Sequence, residues 1–508
     1  MDSLSRRSLL RVGAGALAAW AAAPAAASAA GGVLPPGRGG LPRRDEMPVR
    51  TVSLTATPGP VDLGGRTVTT WSYDGRVPGP LIRVGVGEPL AVVVANNLPD
   101  PTTVHWHGLC VPNAQDGVPG VTQSAIAAAD VFSYRFTPSS PGTYWLHPHV
   151  GLQQDRGLYA ALIVDDPDEP LAYDAEWLVV LDDWIDGTGA TPDDVLGELT
   201  RGSHDSGGAG GHSRAVEGDD GGAEASHVLP RDATSPLLGG PAGHVAYPVH
   251  LANGRTPDAP ETFAATPGAR VRIRLVNAGS DTAYRVAVGG HRMTVVHADG
   301  HPVRPVDTDA LLLGMGERYD VLVTLGSGVF PLVAVAEGKA GAALALVRTG
   351  AGTAPDATVR PAELDGERVG YESLGPPAGA APEEREPDRV IRMAMTGNGS
   401  AFDWGINGRR YDPAEHYPVA EGERVRLEFV NRTRMWHPMH VHGHTFSAGS
   451  PAGPRKDTVI VLPGRTVTAD FDADNPGLWM VHCHNVYHSE TGMMTTVAYE
   501  GRSAPVSP

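Results

Sequence analysis

Gly87-Glu88-Pro89-Leu90-Ala91-Val92-Val93-Val94-Ala95-Asn96 sets apolar side chains at alternate positions, Leu90, Val92 and Val94, between a glycine and an asparagine. The same frame returns from Gly268 through Val271, Ile273 and Leu275 to Asn277, and from Gly422 through Val425, Leu427 and Phe429 to Asn431. Alternation with period two marks a strand with one buried face, and the leading glycine marks the turn into it. A solenoid would repeat every ~20–50 residues. Copies as widely spaced as these predict instead an all-β chain of three similar domains.

Outward from each asparagine the frame holds. Nine residues past Asn96 stands His105-Trp106-His107-Gly108, and nine past Asn431 stands His440-Val441-His442-Gly443. Nine past Asn277 the same place is taken by Val286-Ala287-Val288-Gly289. Further on, Pro141-Gly142-Thr143-Tyr144-Trp145-Leu146-His147-Pro148-His149 matches Pro476-Gly477-Leu478-Trp479-Met480-Val481-His482-Cys483-His484. The nearest middle-domain stretch, Val329-Phe330-Pro331-Leu332-Val333, has no histidine, so the middle domain reads as a spacer holding the outer two in position. The domains are expected at residues 45–166, 169–349 and 388–501. Residues 351–387, rich in Pro, Ala, Gly and Glu, read as a linker. Residues 201–245, rich in Gly, Asp and Ser with scattered His, read as a flexible insertion.

Composition agrees with several soluble domains: 508 residues, 41% hydrophobic and 19% charged. The 64 glycines and 45 prolines suit a β protein with many turns. A net charge of −18 excludes a nucleic-acid-binding footprint. Ser5-Arg6-Arg7-Ser8-Leu9-Leu10 is a twin-arginine pattern ahead of an Ala-rich stretch. Residues 1–44 therefore read as an export signal with its lead-in, and the product as extracellular or held in the cell envelope. Arg11 interrupts the apolar stretch and argues against stable membrane insertion. Two cysteines in an exported protein ordinarily suggest a disulfide. Here Cys483 is committed to a metal, as argued next, and no disulfide is expected. Cys110 reads as a small buried hydrophobe.

On a strand, residues i and i+2 point the same way, so each H-x-H presents two imidazoles to one side. Four such pairs occur: His105/His107, His147/His149, His440/His442 and His482/His484. Eight imidazoles from two related domains exceed the needs of one metal ion and suit a small copper cluster. Cys483 lies between two of them with its side chain on the opposite strand face. With His437, His488 and the thioether of Met493 it completes the trigonal set of a blue-copper site. A mononuclear centre and the cluster would then share a few residues of backbone. In the first domain Pro148 takes the place of Cys483, so one mononuclear site is expected.

His-Trp-His-Gly at 105–108, His-Pro-His at 147–149, His437-Pro438-Met439-His440-Val441-His442-Gly443-His444 and His482-Cys483-His484-Asn485-Val486-Tyr487-His488 with Met493 resemble the four copper motifs of the multicopper oxidase family. The resemblance spans essentially the whole chain after the signal. It implies three cupredoxin-like Greek-key β-sandwich or barrel domains and four coppers. Type 1 copper falls to His437, Cys483, His488 and Met493, and type 2 to His105 and His440. The type 3 pair falls to His107, His147, His149, His442, His482 and His484. It further implies that a donor reduces the type 1 centre near His437 and His488, and that electrons pass through Cys483 to reduce O2 to water.

That reduction consumes protons and asks for a carboxyl near the cluster. Asp116, nine residues after His107, is placed like the family's acidic residue, although Gln115-Asp116-Gly117 also reads as a turn. Glu490 is the second candidate, since Ser489 directly follows His488 where some relatives carry an acid. His204, His212 and His227 in the insertion are weighed as copper captors against plain loop residues. His444 is left outside the ligand set, and His291, His297 and His301 read as ordinary histidines.

The resulting expectation is a copper-dependent, laccase-like oxidase of phenols or aromatic amines, acting as a monomer because one chain supplies both halves of the cluster. A cuprous oxidase for copper tolerance is the alternative. The insertion has no methionine to favour it, although Met435, Met439 and Met494 lie near the type 1 motif besides Met493. A non-catalytic copper carrier or scaffold would not need the full ligand set, and a copper nitrite reductase would ordinarily be a shorter chain acting as a trimer.

Overall fold

The computed structural model describes residues 48–201, 226–230, 232–380 and 385–501. The export segment, His204 and His212 lie outside the described residues.

Each glycine-to-asparagine frame is a strand: Leu90–Asn96, Arg270–Asn277 and Arg424–Asn431. Each pairs in parallel with an earlier strand of its own domain, respectively Arg50–Asp62, Ala175–Trp184 and Arg389–Thr396. Each pairs antiparallel on its other side with Val131–Phe136, Arg318–Thr324 and Thr466–Asp472. The alternate apolar residues face inward; Val92 and Val94 are wholly buried, worth about 1.5–3 kcal/mol each.

The terminal asparagine explains the constant nine-residue spacing. Asn96 Nδ2 donates to the carbonyls of Asp100 and Ile126, both at 2.9 Å, and Asn277 Nδ2 to those of Thr282 and Leu313 at 2.9 and 3.0 Å. Asn431 Nδ2 donates to Met435 and Val461 at 2.7 and 2.8 Å. The amide carbonyl of each accepts from the backbone two residues on. One side chain thus closes the turn that launches the next strand across to the second sheet.

Those second strands keep one register. His105–His107 pairs with Gly142–His147 with His105 opposite His147. His437–Val441 pairs with Leu478–Cys483 with His440 opposite His482. In the middle domain Tyr284–Val288 pairs with Val329–Ala336, and Val286 faces Ala334. The sheets hold four and four strands in the first domain, six and six in the middle one, and six and five in the third. Each pair of sheets closes over its own core, built around Trp106, Val286 and Trp479 respectively.

Three expectations change. Residues 202–225 and 231 of the expected insertion lie outside the described residues, and its described part is tied down: Ala246 N donates to His227 O and Leu229 N to His244 O, joining residues 226–230 to 244–246. Glu198, on the helix Pro192–Arg201, accepts from His227 N at 3.0 Å and lies 2.9 Å from its Nδ1, so His227 is a clasp rather than a free ligand. The expected linker is packed, since Leu364, Val369 and Leu374 are buried and Arg368–Val369 adds a parallel strand to Ala310–Leu313. Those three apolar residues override the composition around them. Cys110 is exposed, not buried, because its side chain turns outward between the buried Leu109 and Val111; both cysteines are free thiols. Among the described residues, no helix is long and apolar enough to cross a membrane.

Candidate metal centre

The paired strands carry His105, His107, His147, His440 and His482, and His149, His442 and His484 follow just past strand ends, so eight imidazoles meet at one interface between the first and third domains. Ligand nitrogens of His105, His107 and His440 lie within 4.8 Å of one another, as do those of His107, His147 and His484. The same holds for His105, His147 and His149, and for His149, His442 and His482. His442 Nε2 and His482 Nε2 face each other at 3.1 Å.

The outward-facing nitrogens are held from behind. His105 Nδ1 is 2.9 Å from the Asp116 carbonyl and 3.1 Å from its Oδ1, and His442 Nδ1 is 2.9 Å from Asp116 Oδ2. His440 Nδ1 is 2.9 Å from the Asp457 carbonyl, and His107 Nε2 is 3.1 Å from Asp457 Oδ1. His147 and His482 each turn Nδ1 to the carbonyl of the following residue, at 3.0 and 2.9 Å. This leaves His105 Nε2, His107 Nδ1, His147 Nε2, His149 Nε2, His440 Nε2 and both nitrogens of His484 buried without a protein partner. A buried polar atom left unpaired costs about 1–3 kcal/mol. Six imidazoles sharing that condition around one space fit a group that binds nitrogen lone pairs. Burial, and next the neighbouring imidazoles, hold the pKa values of His147, His149, His442 and His484 well below the ordinary value. The neutral, ligating form is favoured.

Asp116 reaches both domains through a tight turn. It follows the single 3-10 turn Asn113–Gln115, and Gly117 after it has φ +80°. A Cβ on Gly117 would lie 1.9 Å from the Val104 carbonyl, so only glycine permits the approach. Turn and site contact are one arrangement. Burial pushes the Asp457 carboxyl up, but Arg318 beside it and the hydrogen bonds from His107 and His440 more than offset this and hold it well below the usual range.

The second constellation lies on the other face of the same strand. Cys483 joins the core side chains Trp479 and Val481, while His482 faces the cluster. Asn485 then caps the short helix Val486–Glu490 by accepting from His488 N, which turns His488 back over Cys483. His437 Nδ1 and His488 Nδ1 are 3.1 Å apart and each is 3.5 Å from Cys483 Sγ. The centre of that triangle is about 2 Å from every corner, a metal–imidazole bond length. Met493 is fully buried in the same core and is tied in by backbone, its N donating to His488 O and its O accepting from Cys483 N. Burial, then His244, lowers His437 to about 3, and burial pushes the Cys483 thiol up in the metal-free protein.

Family models described as multicopper oxidase match residues 55–169, 219–352 and 384–503. The chain belongs to the multicopper oxidase family. It is 47% identical to Multicopper oxidase MmcO of Mycobacterium tuberculosis, covering 97% of this chain and 96% of that protein. It is 28% identical to the Copper resistance protein A homolog of Pseudomonas syringae pv. tomato, over 87% and 90% of the two chains. The crystal structure of the laccase from Botrytis aclada superposes with a TM-score of 0.71 at 24% identity, covering 90% of this chain and 89% of that one. As a multicopper oxidase, this chain is a copper-dependent oxidoreductase with O2 as acceptor, built of cupredoxin-like domains.

Around the Cys483 centre stand residues that sequence reasoning passed over. His244 Nε2 is 2.9 Å from His488 Nε2, and the Trp404 ring lies 4.2 Å from that of His488. Thr433 Oγ is 2.8 Å from His437 Nε2. His488 is 0% exposed, so His244 and Trp404 screen it from solvent. Both line a cavity of about 490 Å³ whose walls include Leu199, Leu229, Pro230 and Met435. Near the cluster, Glu490 is exposed beside a cavity of about 60 Å³ that it shares with His147, His149, His482 and Ser489. The protein around it, and next Asp193, raise its carboxyl pKa. His444 is buried and bonded instead to Tyr499 at 2.7 Å.

Proposed function

We propose that the chain is a laccase-like oxidase holding four coppers: type 1 at His437, Cys483, His488 and Met493, type 2 at His105 and His440, and type 3 at the six remaining motif histidines. When bound, the coppers supply one-electron acceptance at the Cys483 centre and four-electron reduction of O2 to water at the cluster. The observation that carries the choice of donor is the cavity beside His488. Leu199, Leu229, Pro230 and Trp404 give it apolar walls for an aromatic ring beside polar ones such as Glu198 and Arg432, and His244, whose Nε2 is 2.9 Å from His488 Nε2, joins the cavity to that ligand. A phenol or aromatic amine seated there would stand behind His244 and Trp404, with water kept from His488. His482, Cys483 and His484 are consecutive, which makes the covalent path between the two centres short. Asp116 orients His105 and His442, and Glu490 places a carboxyl of raised pKa at the mouth of the cluster cavity.

One observation favours a second reading. Met435 lines the same cavity, and a thioether suits cuprous ion; a relative bears the name copper resistance protein A. Oxygen uptake by the copper-loaded protein, with a phenol and then cuprous ion at matched concentrations, separates the two. Faster uptake with the phenol is expected. Faster uptake with cuprous ion would reverse the assignment. Export through the twin-arginine segment and action as a monomer belong to the same proposal and rest on Arg6-Arg7 and on both cluster halves residing in one chain.

A further inference from the structure

We propose that Arg318, from the middle domain, is a positioning residue of the histidine cluster. Its guanidinium clamps Asp457, and Asp457 sets which nitrogen turns inward, through its carboxylate for His107 and through its main-chain carbonyl for His440. The middle domain is then part of the metal site and not a spacer alone.

Arg318 is fully buried at the start of the strand Arg318–Thr324. Its Nη1 and Nη2 donate to Asp457 Oδ1 and Oδ2, both at 2.7 Å, in the two-pronged geometry that fixes a carboxylate most firmly. Its Nε donates to the Thr143 carbonyl at 3.1 Å, so one side chain links all three domains. Asp457 is further held by Asp299, whose Oδ2 accepts from the Asp457 and Thr458 amides at 3.2 and 3.1 Å. Behind that, Lys456 pairs with Asp299 at 3.0 Å and Glu317 at 3.2 Å, all three buried.

The consequence falls on two imidazoles. His107 Nε2 lies 3.1 Å from Asp457 Oδ1 and from the Thr458 hydroxyl, which itself donates to that carboxylate at 2.8 Å; this leaves Nδ1 unpartnered, whereas His105, His147, His149 and His440 leave Nε2. An H-x-H strand cannot by itself choose between a ring's two nitrogens; the partner of the other nitrogen does. The same loop closes the space from the middle-domain side. Gly316 has φ +85°, and a Cβ there would lie 3.0 Å from His107 Cε1 and from His484 Cδ2.

Stability alone is a poor reason for this network. Burying charges is expensive, and apolar replacements of similar volume are often neutral or stabilising. A fixed carboxylate at one ring nitrogen is something an apolar core cannot supply. The middle domain also offers an internal control, the buried pair of Arg274 and Asp320 at 3.0 Å, which contacts no cluster histidine.

The inference rests on the histidine cluster being a copper site. The test loads wild type, Arg318→Met, Arg318→Lys and Arg274→Met with copper. Copper per chain, its retention against a chelator, blue absorption and the paramagnetic resonance spectrum are then recorded. Arg318→Met is expected to keep the blue absorption of the Cys483 centre and to retain cluster copper ~10–100-fold less tightly. Arg318→Lys is expected to recover part of that loss, and Arg274→Met to show none of it. Full cluster copper with unchanged resonance in Arg318→Met, or equal loss in Arg274→Met, would overturn the role. Wild type without cluster copper would overturn the copper reading itself. Should Arg318→Met not fold, Asp457→Asn is expected to show the same selective loss, and intact cluster copper there would equally overturn the role.

Discussion

Asp116 Oδ2 lies 2.9 Å from His442 Nδ1, which joins a turn of the first domain to a ligand strand of the third. The other oxygens of Asp116 lie 3.1 and 2.9 Å from His105 Nδ1. Asp116→Asn keeps the shape but replaces one acceptor oxygen with an N–H donor facing an imidazole that must donate. Oxygen uptake is expected to fall about 10–100-fold. Bleaching of the blue absorption by a phenol without oxygen should be unchanged, since Cys483 and His488 are untouched. A variant that slows bleaching and uptake equally would contradict this division.

Glu490 presents its carboxyl at the mouth of the small cavity, its pKa raised by the protein around it and next by Asp193. A proton donor of this kind contributes about 100-fold or more to a proton-limited step. Glu490→Gln should therefore slow oxygen uptake, increasingly as pH rises and free protons become scarce. An identical pH profile in the variant would remove Glu490 from the proton route.

Metal-free protein should be acid-labile. Burial lowers His437 to about 3 and His244 to about 4, and it also lowers His488, His107, His147, His149, His440, His442, His482 and His484. Free histidine has a pKa of about 6.5, so below that pH the unfolded chain binds protons that the folded chain refuses. Stability is complete above ~6.5 and is lost as pH falls toward the folded values. Melting temperatures measured at several pH values should fall below pH ~6.5 without copper and fall less with it, because copper competes for the same lone pairs.

His244 bridges the donor cavity and His488. His244→Phe keeps a ring but leaves His488 Nε2 without its partner, a cost of about 1–3 kcal/mol. Phenol-driven bleaching is expected to slow by about tenfold, the equivalent of 1.4 kcal/mol. An unchanged bleaching rate would place donor entry elsewhere.

Much of the fold was legible because its signal is local. Alternation over Val425, Leu427 and Phe429 needs only neighbouring residues, and the asparagine that ends each frame closes a turn within the next few. The H-x-H pairs and Cys483 were legible because strand alternation assigns their faces, even though His149, His442 and His484 fall just past the strand ends. Asp457 was not, since its partner His107 is 350 residues away. Its one local hint is the charged pair Lys456-Asp457 running into the apolar strand Thr458–Val461. Nothing around His244 separates it from the other histidines of a glycine-rich stretch; only the fold brings it to His488. Residue type predicts a buried Cys110 because it reports average burial, whereas its exposure depends on which way its side chain turns between the buried Leu109 and Val111.

The most direct test of the oxidase assignment is the amount of oxygen consumed by the copper-loaded protein from a small, known quantity of a one-electron phenolic donor. Four donor molecules oxidised per O2, with no oxygen returned on adding catalase, is the expected result. Two donors per O2 with oxygen released by catalase, or no uptake at all, would contradict it.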